Sequence, residues 1–386
     1  MRLKIDKLGV VIAALLAYGA FLAPFAQFRA NRIVPGEARS ILEALPAGLG
    51  AALLAFVMIS IILIVLKTPT IVRLVLGLVA LLVLAVLIGL SAGHLTPPEN
   101  TYARVSPASG FWLLSFAFAL VTADALARLK LSPFARVALL AAVAGAIAAL
   151  LMSGAWDGLS ILKEYGSRAE TFWLEASRHV VLALGSLAAA TLVGLPLGIL
   201  CHRVEALRAG VLNVLNIIQT IPSIALFGLL IAPLGWIALH VPGAQAHGIR
   251  GIGAAPAFVA LFLYSLLPVV ANTVVGLAGV PRDANDAARG IGMTDRQRLF
   301  GVELPLAFPV ILTGIRIVLV QNIGLATIAA LIGGGGFGVF VFQGIGQTAM
   351  DLVLLGAVPT VALAFAAAIV LDAATELSSN KPGRAA

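Results

Sequence analysis

Residues 286–305 read DAARGIGMTDRQRLFGVELP and lie in a polar stretch, 281–305, between two long apolar runs. Asp286-Ala287-Ala288 is followed after three residues by Gly292, after nine more by Val302, and one residue later by Leu304-Pro305. Pro281 suits the first position of a short helix. Asp283 or Asn285 is placed to cap that helix, with acidic charge at its positive end. Ala287 and Ala288 are small helix formers that would let a partner's backbone approach closely. Gly290 and Gly292 end the helix and let the chain turn. Thr294, with Gln297 three residues on, has the form of a capping box, so a second short helix is expected there. That helix should carry Arg296 and Arg298 outward and turn Leu299 and Phe300 toward the apolar part of the chain. Pro305 then falls in the first turn of the next apolar run. Two ordered helical pieces in such a loop make it a candidate docking surface.

The apolar runs decide the class. The chain has 386 residues, 61% of them hydrophobic and 11% charged, whereas a soluble domain has about 25% charged residues. So little polar surface cannot cover a soluble globule, and the composition implies a polytopic, all-α membrane protein. A span needs about 20 apolar residues. Ten such runs lie near 8–28, 46–66, 71–92, 110–127, 135–152, 179–201, 211–235, 255–277, 306–332 and 352–371. The first follows Met1-Arg2-Leu3-Lys4 and is long for a signal peptide, with no clean cleavage site after it, so it reads as a span.

Charge tests this count. Of the 25 Lys and Arg residues, eight fall in outer segments if the N-terminus is inside: Arg29, Arg32, Arg39, Arg104, Lys163, Arg168, Arg178 and Arg250. Arg316 falls within a span, and the other sixteen lie in inner segments. The positive-inside rule thus puts both termini and the 281–305 loop on the cytoplasmic side. The net charge of +8 is therefore a topology signal. No aromatic-basic cluster marks a nucleic-acid surface. The lone Cys201 has no partner for a disulfide or a metal, and the five histidines show no metal spacing.

The 153–178 stretch is too polar to span, and its second half, with Trp173, has the character of an interfacial amphipathic helix. It reads as an extracytoplasmic linker between an N-terminal membrane part, 1–152, and a second part, 179–376, followed by a cytoplasmic tail, 377–386. Gly333 to Gly338 formally matches G-x-G-x-x-G. It follows a membrane span rather than a strand, so a flexible outer turn or gate fits better than a nucleotide loop.

The order Asp286-Ala287-Ala288, Gly292, Val302, Leu304-Pro305 resembles the "EAA" loop of ABC-importer permeases, with Asp for Glu and Val for Ile. The resemblance implies a type I importer permease core and a loop that docks onto a separate ATPase through Asp286, Ala287, Ala288, Gly292, Arg296, Arg298, Leu304 and Pro305. Gln219-Thr220-Ile221-Pro222-Ser223, Leu263 to Pro268 with Asn272-Thr273, Gly314-Ile315-Arg316, and Ala326 to Ile332 before the glycine run look like osmoprotectant permeases for glycine betaine and choline. The resemblance covers roughly 178–376. The first part resembles the N-terminal extension of a longer subtype. By the same resemblance the chain pairs with ATPase subunits, a second permease as homodimer or heterodimer, and an extracytoplasmic binding protein, in the inner membrane of a bacterium.

Several residues inside the spans are candidates for the pathway. Gln219, Thr220, Ser223, Asn272 and Thr273 are polar groups that line a path or bridge helices. Pro222 and Pro268 break hydrogen-bond ladders. Arg316, the charged residue nearest mid-membrane, either contacts solute or pairs with backbone carbonyls or with Gln321, Asn322 or Asn272. No Gly-Lys pair occurs, so a P-loop lysine is missing and ATP is expected on a partner chain, with no cofactor in this one. Proton-coupled carriers need mid-span carboxylates, which the predicted spans lack. An ion-coupled carrier is therefore the weaker alternative, beside a permease of the same type for an amino acid. The spans also lack an aromatic box for a quaternary ammonium, which moves recognition to the binding protein.

Overall fold

The computed structural model describes residues 6–32, 34–100 and 102–379. The chain divides into two compact units, one of residues up to 132 with 141–167, the other of 133–140 with 168 onward. Among the described residues, nine helices are long and apolar enough to cross a membrane, and a tenth apolar helix is shorter.

The first unit opens with the short helix, α1 (Lys7–Phe21), then β1 (Ala26–Arg29), β2 (Glu37–Arg39) and the single turn α2 (Ile41–Ala44). The long helices α3 (Ala47–Val65) and α4 (Thr70–Leu95) follow, then β3 (Arg104–Pro107), α5 (Ser109–Leu129), α6 (Pro133–Met152), whose residues 133–140 count with the second unit, and α7 (Ser160–Gly166). The first apolar run was expected to reach residue 28. It stops at Phe21 because residues 26–29 pair with two other segments, giving an antiparallel sheet ordered β2-β1-β3. Leu16, Phe25, Leu84, Leu114 and Phe118 fill the core behind it. At the α3–α4 turn Arg73 is buried, with Nη1 2.5 Å from Asp6 Oδ2. Its Nη2 donates to Ile64 O (3.1 Å) and Leu66 O (3.0 Å). These carbonyls belong to the last turn of α3, where the helix itself supplies no donors.

The main part of the second unit begins with α8 (Ala169–Arg203), a single 35-residue helix. The 153–178 stretch is thus divided. Trp156 Nε1 donates to Ala85 O (2.7 Å) within the first unit, while residues 169–178 are the opening turns of α8 rather than a separate helix. Then come α9 (Glu205–Thr220), α10 (Ser223–Leu229), α11 (Ile231–His240) and α12 (Ala254–Ala278). The expected span at 211–235 is broken here. Pro222 sits at the N-cap of α10, and the apolar stretch long enough to span starts at Ser223. After α12 come α13 (Arg282–Gly290), α14 (Asp295–Arg298), a π turn (Leu299–Glu303) and α15 (Leu304–Leu325). A 3₁₀ turn (Ile328–Ile332), α16 (Gly338–Gly346) and α17 (Met350–Ser379) complete it. Of the expected tail, 380–386 lies outside the described residues.

Helices α8, α12 and α15 form the core of this unit, and small residues let them approach. A Cβ at Gly198 of α8 would lie 2.6 Å from Thr273 Cβ, and one at Gly314 of α15 would lie 2.7 Å from Asn272 Cβ. Between apolar helices in lipid, close backbone approach supplies attraction that the hydrophobic effect cannot.

Candidate functional site

The 281–305 segment folds as two short helices and a widened turn. Pro281 occupies the N-cap of α13, with Asp283 in the first turn and no side chain capping it. Neither Asp283 nor Asn285 takes the capping place expected of it, because the cap falls two residues before the first and four before the second. Gly292 has φ +84°, a left-handed backbone that favours glycine. Met293 N–H reaches Ala288 O at 3.1 Å across this turn. The capping box then forms: Gln297 N–H donates to Thr294 Oγ1 (3.3 Å) and Thr294 N–H to Gln297 Oε1 (2.8 Å).

The faces of this segment differ from the expectation at three residues. Asp286, Ala287 and Arg296 are exposed. Ala288 is 4% exposed, so its small size serves inward packing and leaves no room for a partner there. Arg298, expected outside, is 4% exposed and held by Glu303. Leu299 packs inward beside Leu277, Val280, Ala307 and Ile311, as does Leu304, while Pro305 stands in the first turn of α15. Phe300, expected inside, is 68% exposed. The π turn explains both reversals, since it inserts a residue and rotates the positions around it. Ile291 is 76% exposed as well. Two apolar side chains therefore stand on a surface with Arg282, Asp286, Arg289 and Arg296. The sequence signal for Ile291 was its placement as a large apolar residue between glycines in a polar loop, whereas Phe300 stands beside Leu299 and gave none.

The polar residues of the spans are largely committed to backbone. Pro268 cannot donate to Tyr264 O, four residues back. Gln219 Nε2 supplies the missing donor at 2.8 Å. The Tyr264 hydroxyl in turn donates to Ile221 O, beside the break at Pro222. The two proline sites are thus braced to each other through Tyr264. Thr220 Oγ1 donates to Ile217 O (2.7 Å), Asn272 Nδ2 to Pro268 O (2.8 Å) and Thr273 Oγ1 to Val269 O (2.7 Å). Ser223 is half-buried at the start of α10.

Arg316 pairs with Asp372 of α17, which also binds Arg136 Nη1 (2.5 Å), and Arg136 reaches Glu376. The expected amide partners were wrong: Asn322 is engaged elsewhere, and Asp372 lies far along the chain. A cavity of about 620 Å³ adjoins this cluster, with Gln321 and Ile317 in its wall. Asn322, fully buried, donates to Ser186 Oγ (2.9 Å) and Ser265 Oγ (2.8 Å), joining α8, α12 and α15. The glycine turn is also tied down. Gly336 N–H donates to Glu175 Oε2 (2.6 Å), and Phe337 N–H to His179 Nδ1 (3.3 Å).

With this geometry in place, comparison with known proteins identifies the family. Residues 6–162 match the N-terminal domain of the ABC transporter permease YehY, and residues 194–381 match the binding-protein-dependent transport system inner membrane component family. The osmoprotectant import permease protein OsmW of Salmonella typhimurium is 44% identical over 195 residues, covering 50% of this chain and 84% of OsmW. This chain belongs to the binding-protein-dependent ABC transport permeases. The permease is also 38% identical over 203 residues to the choline transport system permease protein OpuBB of Bacillus subtilis, covering 53% of this chain and 84% of that one. Among solved structures, an inward-facing MetNI methionine ABC transporter chain matches 55% of the permease and 98% of its own length, at 22% identity and a TM-score of 0.47. As a member of this family the permease is a multi-pass transport subunit of an ABC importer. That answers the ion-coupled carrier alternative.

Proposed function

We propose that this permease imports quaternary ammonium osmoprotectants such as glycine betaine or choline. The observation that carries this reading is the 44% identity to an osmoprotectant import permease over 84% of that protein's length. A separate ATPase binds ATP and docks on the exposed face of 281–305, with Asp286, Ala287, Arg296, Ile291 and Phe300 in contact. Ala288, Gly292, Arg298, Leu304 and Pro305 give the face its shape from within. Both termini and this loop are cytoplasmic. A second permease, as homodimer or heterodimer, and an extracytoplasmic binding protein complete the assembly in the bacterial inner membrane.

Gln219, Thr220, Ser223, Asn272, Thr273 and Arg316, with the breaks at Pro222 and Pro268, surround the route of the solute as braces. The donors of Gln219, Thr220, Asn272, Thr273 and Arg316 are taken by backbone or by carboxylate, which supports placing recognition in the binding protein. Residues 1–152 act as a membrane extension of the core at 179–376.

Reconstitution in liposomes with the ATPase and binding protein tests this. ATP-dependent uptake of labelled glycine betaine and choline is expected, without competition from amino acids. Ala287→Trp places bulk on the exposed face, and Arg296→Glu reverses its charge. Each should weaken assembly at least about tenfold, equivalent to about 1.4 kcal/mol. Assembly and uptake at wild-type levels in both variants would sink the docking reading, and competition by an amino acid would sink the substrate.

A further inference from the structure

Glu303 is the unassigned position between Val302 and Leu304 in the loop pattern, yet it is 3% exposed and charged. Its Oε2 lies 2.5 Å from Arg203 Nη2, at the end of α8. Its Oε1 accepts from Arg298 Nε at 3.0 Å. Arg298 also holds Asp295 Oδ1 at 2.9 Å, at the start of α14. One buried carboxylate thus joins the loop to a helix 100 residues earlier in the chain.

This junction depends on the shape of the turn. Arg298 and Glu303 are five residues apart. In an α-helix of about 3.6 residues per turn, such residues point about 140° apart. A turn with i→i+5 bonding brings them onto one face, and Leu299–Glu303 is that turn. Rewinding it to an α turn swings Glu303 away from Arg298, so the carboxylate cannot hold both arginines. Two buried polar atoms on the elements concerned, His202 Nδ1 at the end of α8 and Asn285 Oδ1 in α13, have no hydrogen-bond partner. Unsatisfied groups of this kind are costly where they stand, and another packing of the same elements can relieve them.

We propose that Glu303 is a positioning residue that carries movement of the 281–305 loop into α8 through Arg203, with the π turn as the element that changes. This rests on the reading that an ATPase docks on the loop. Backbone continuity alone delivers such movement only to α12 and α15, the helices that flank the loop. The ionic link adds α8, the longest helix of the unit. A buried carboxylate transmits displacement stiffly, because separating it from either guanidinium leaves a charge unpaired away from water.

The test uses the full assembly in liposomes, with uptake of labelled glycine betaine and ATP hydrolysis measured in the same vesicles. Arg203→Gln is the main variant. Arg203 is partly exposed, with 35% of its side chain accessible, and its loss leaves Glu303 paired with Arg298. Glu303→Gln and Glu303→Asp accompany it. The expected result is binding of the ATPase within about twofold of wild type but solute moved per ATP reduced at least about tenfold in R203Q and E303Q, with E303D recovering most of it. Unchanged solute per ATP in R203Q overturns the relay, whether or not E303Q folds. Ala287→Trp separates the two claims. If that variant, like Arg296→Glu, assembles with the ATPase at wild-type level, the docking reading fails. If it prevents assembly while R203Q stays coupled, the relay alone fails. A wild-type assembly that moves no glycine betaine sinks only the substrate reading. Coupling is then read from stimulation of hydrolysis by the binding protein, which R203Q should remove, and stimulation that survives in R203Q overturns the relay.

Discussion

Phe300→Ala is the most direct probe of the proposed docking face. Phe300 is 68% exposed, and a phenylalanine buries about 150–250 Å² when fully covered. Roughly 100–170 Å² is therefore open to a partner, worth about 2.5–4 kcal/mol at about 25 cal/mol per Å². Interfaces return only part of such area as affinity, because ordering the partners has its own cost. The expected loss is about 1.5–3 kcal/mol, or roughly 10- to 150-fold in Kd. The assay is binding of the purified ATPase to the permease in nanodiscs, with and without the substitution. An exposed side chain contributes little to the fold, so the melting of the isolated permease should shift by no more than about 0.5 kcal/mol equivalent. This separates a docking defect from a folding defect. Binding within about threefold of wild type would refute the reasoning. It would mean that Phe300 lies against lipid or solvent in the assembled transporter.

Asn322→Leu removes the two interhelical bonds to Ser186 and Ser265. Each is worth about 0.6 kcal/mol on average in a membrane and at most about 1.7, so unfolding in mixed micelles should ease by about 1–3 kcal/mol. The loss stays in that range because the serine hydroxyls keep their own helix carbonyls, Leu182 O and Leu261 O, both at 2.6 Å. Acid lability should trace in part to Asp6, just outside α1. Burial pushes its carboxyl up, but the Arg73 guanidinium and the N–H groups of Gly9 and Leu8 outweigh this and hold it below the usual aspartate range. A depressed carboxyl stabilises the fold above its unfolded value, and that contribution is lost as pH falls through the folded one. Melting temperature measured downward from neutral pH should therefore fall less steeply for Asp6→Asn than for wild type, and equal slopes would exclude Asp6 as a source.

Much of this architecture is legible in the sequence because a bilayer imposes one rule on every span. An apolar run long enough to cross has little choice but helix, so 46–66 became α3 and 255–277 became α12 almost residue for residue. What escaped had weaker or more distant causes. Strands as short as Glu37–Arg39 leave no readable alternation. Pro222 was visible as a kink, but a full break depends on Tyr264 waiting to brace Ile221. Arg316 could not be matched to Asp372 because the two lie 56 residues apart on different helices, and Asp372 sits near the end of its run. In the loop, the capping box was readable from Thr294 and Gln297. The outward Phe300 and buried Arg298 were not, since a π turn has no sequence pattern of its own and changes which neighbouring residues share a face.

The polar groups of the second unit follow a common logic. Each proline leaves a carbonyl without its donor, and in lipid that vacancy must be filled by something other than water. Gln219 fills the one that Pro268 creates. The hydroxyls of Thr220 and Thr273 and the amide of Asn272 turn back onto their own helices. Asn322 spends its donors on two serines, and Arg316 is neutralised by Asp372. A site built to hold a solute tightly keeps such donors aimed into open space, where they pair only when the ligand arrives. Here they pair with the protein instead. A permease of this kind offers a passing solute few strong contacts and therefore few deep wells, which favours release over retention. This fits the proposal that selectivity is exercised before the solute enters. On the proposed reading, the free energy that moves it comes from rearranging the braces, through elements such as the 281–305 loop.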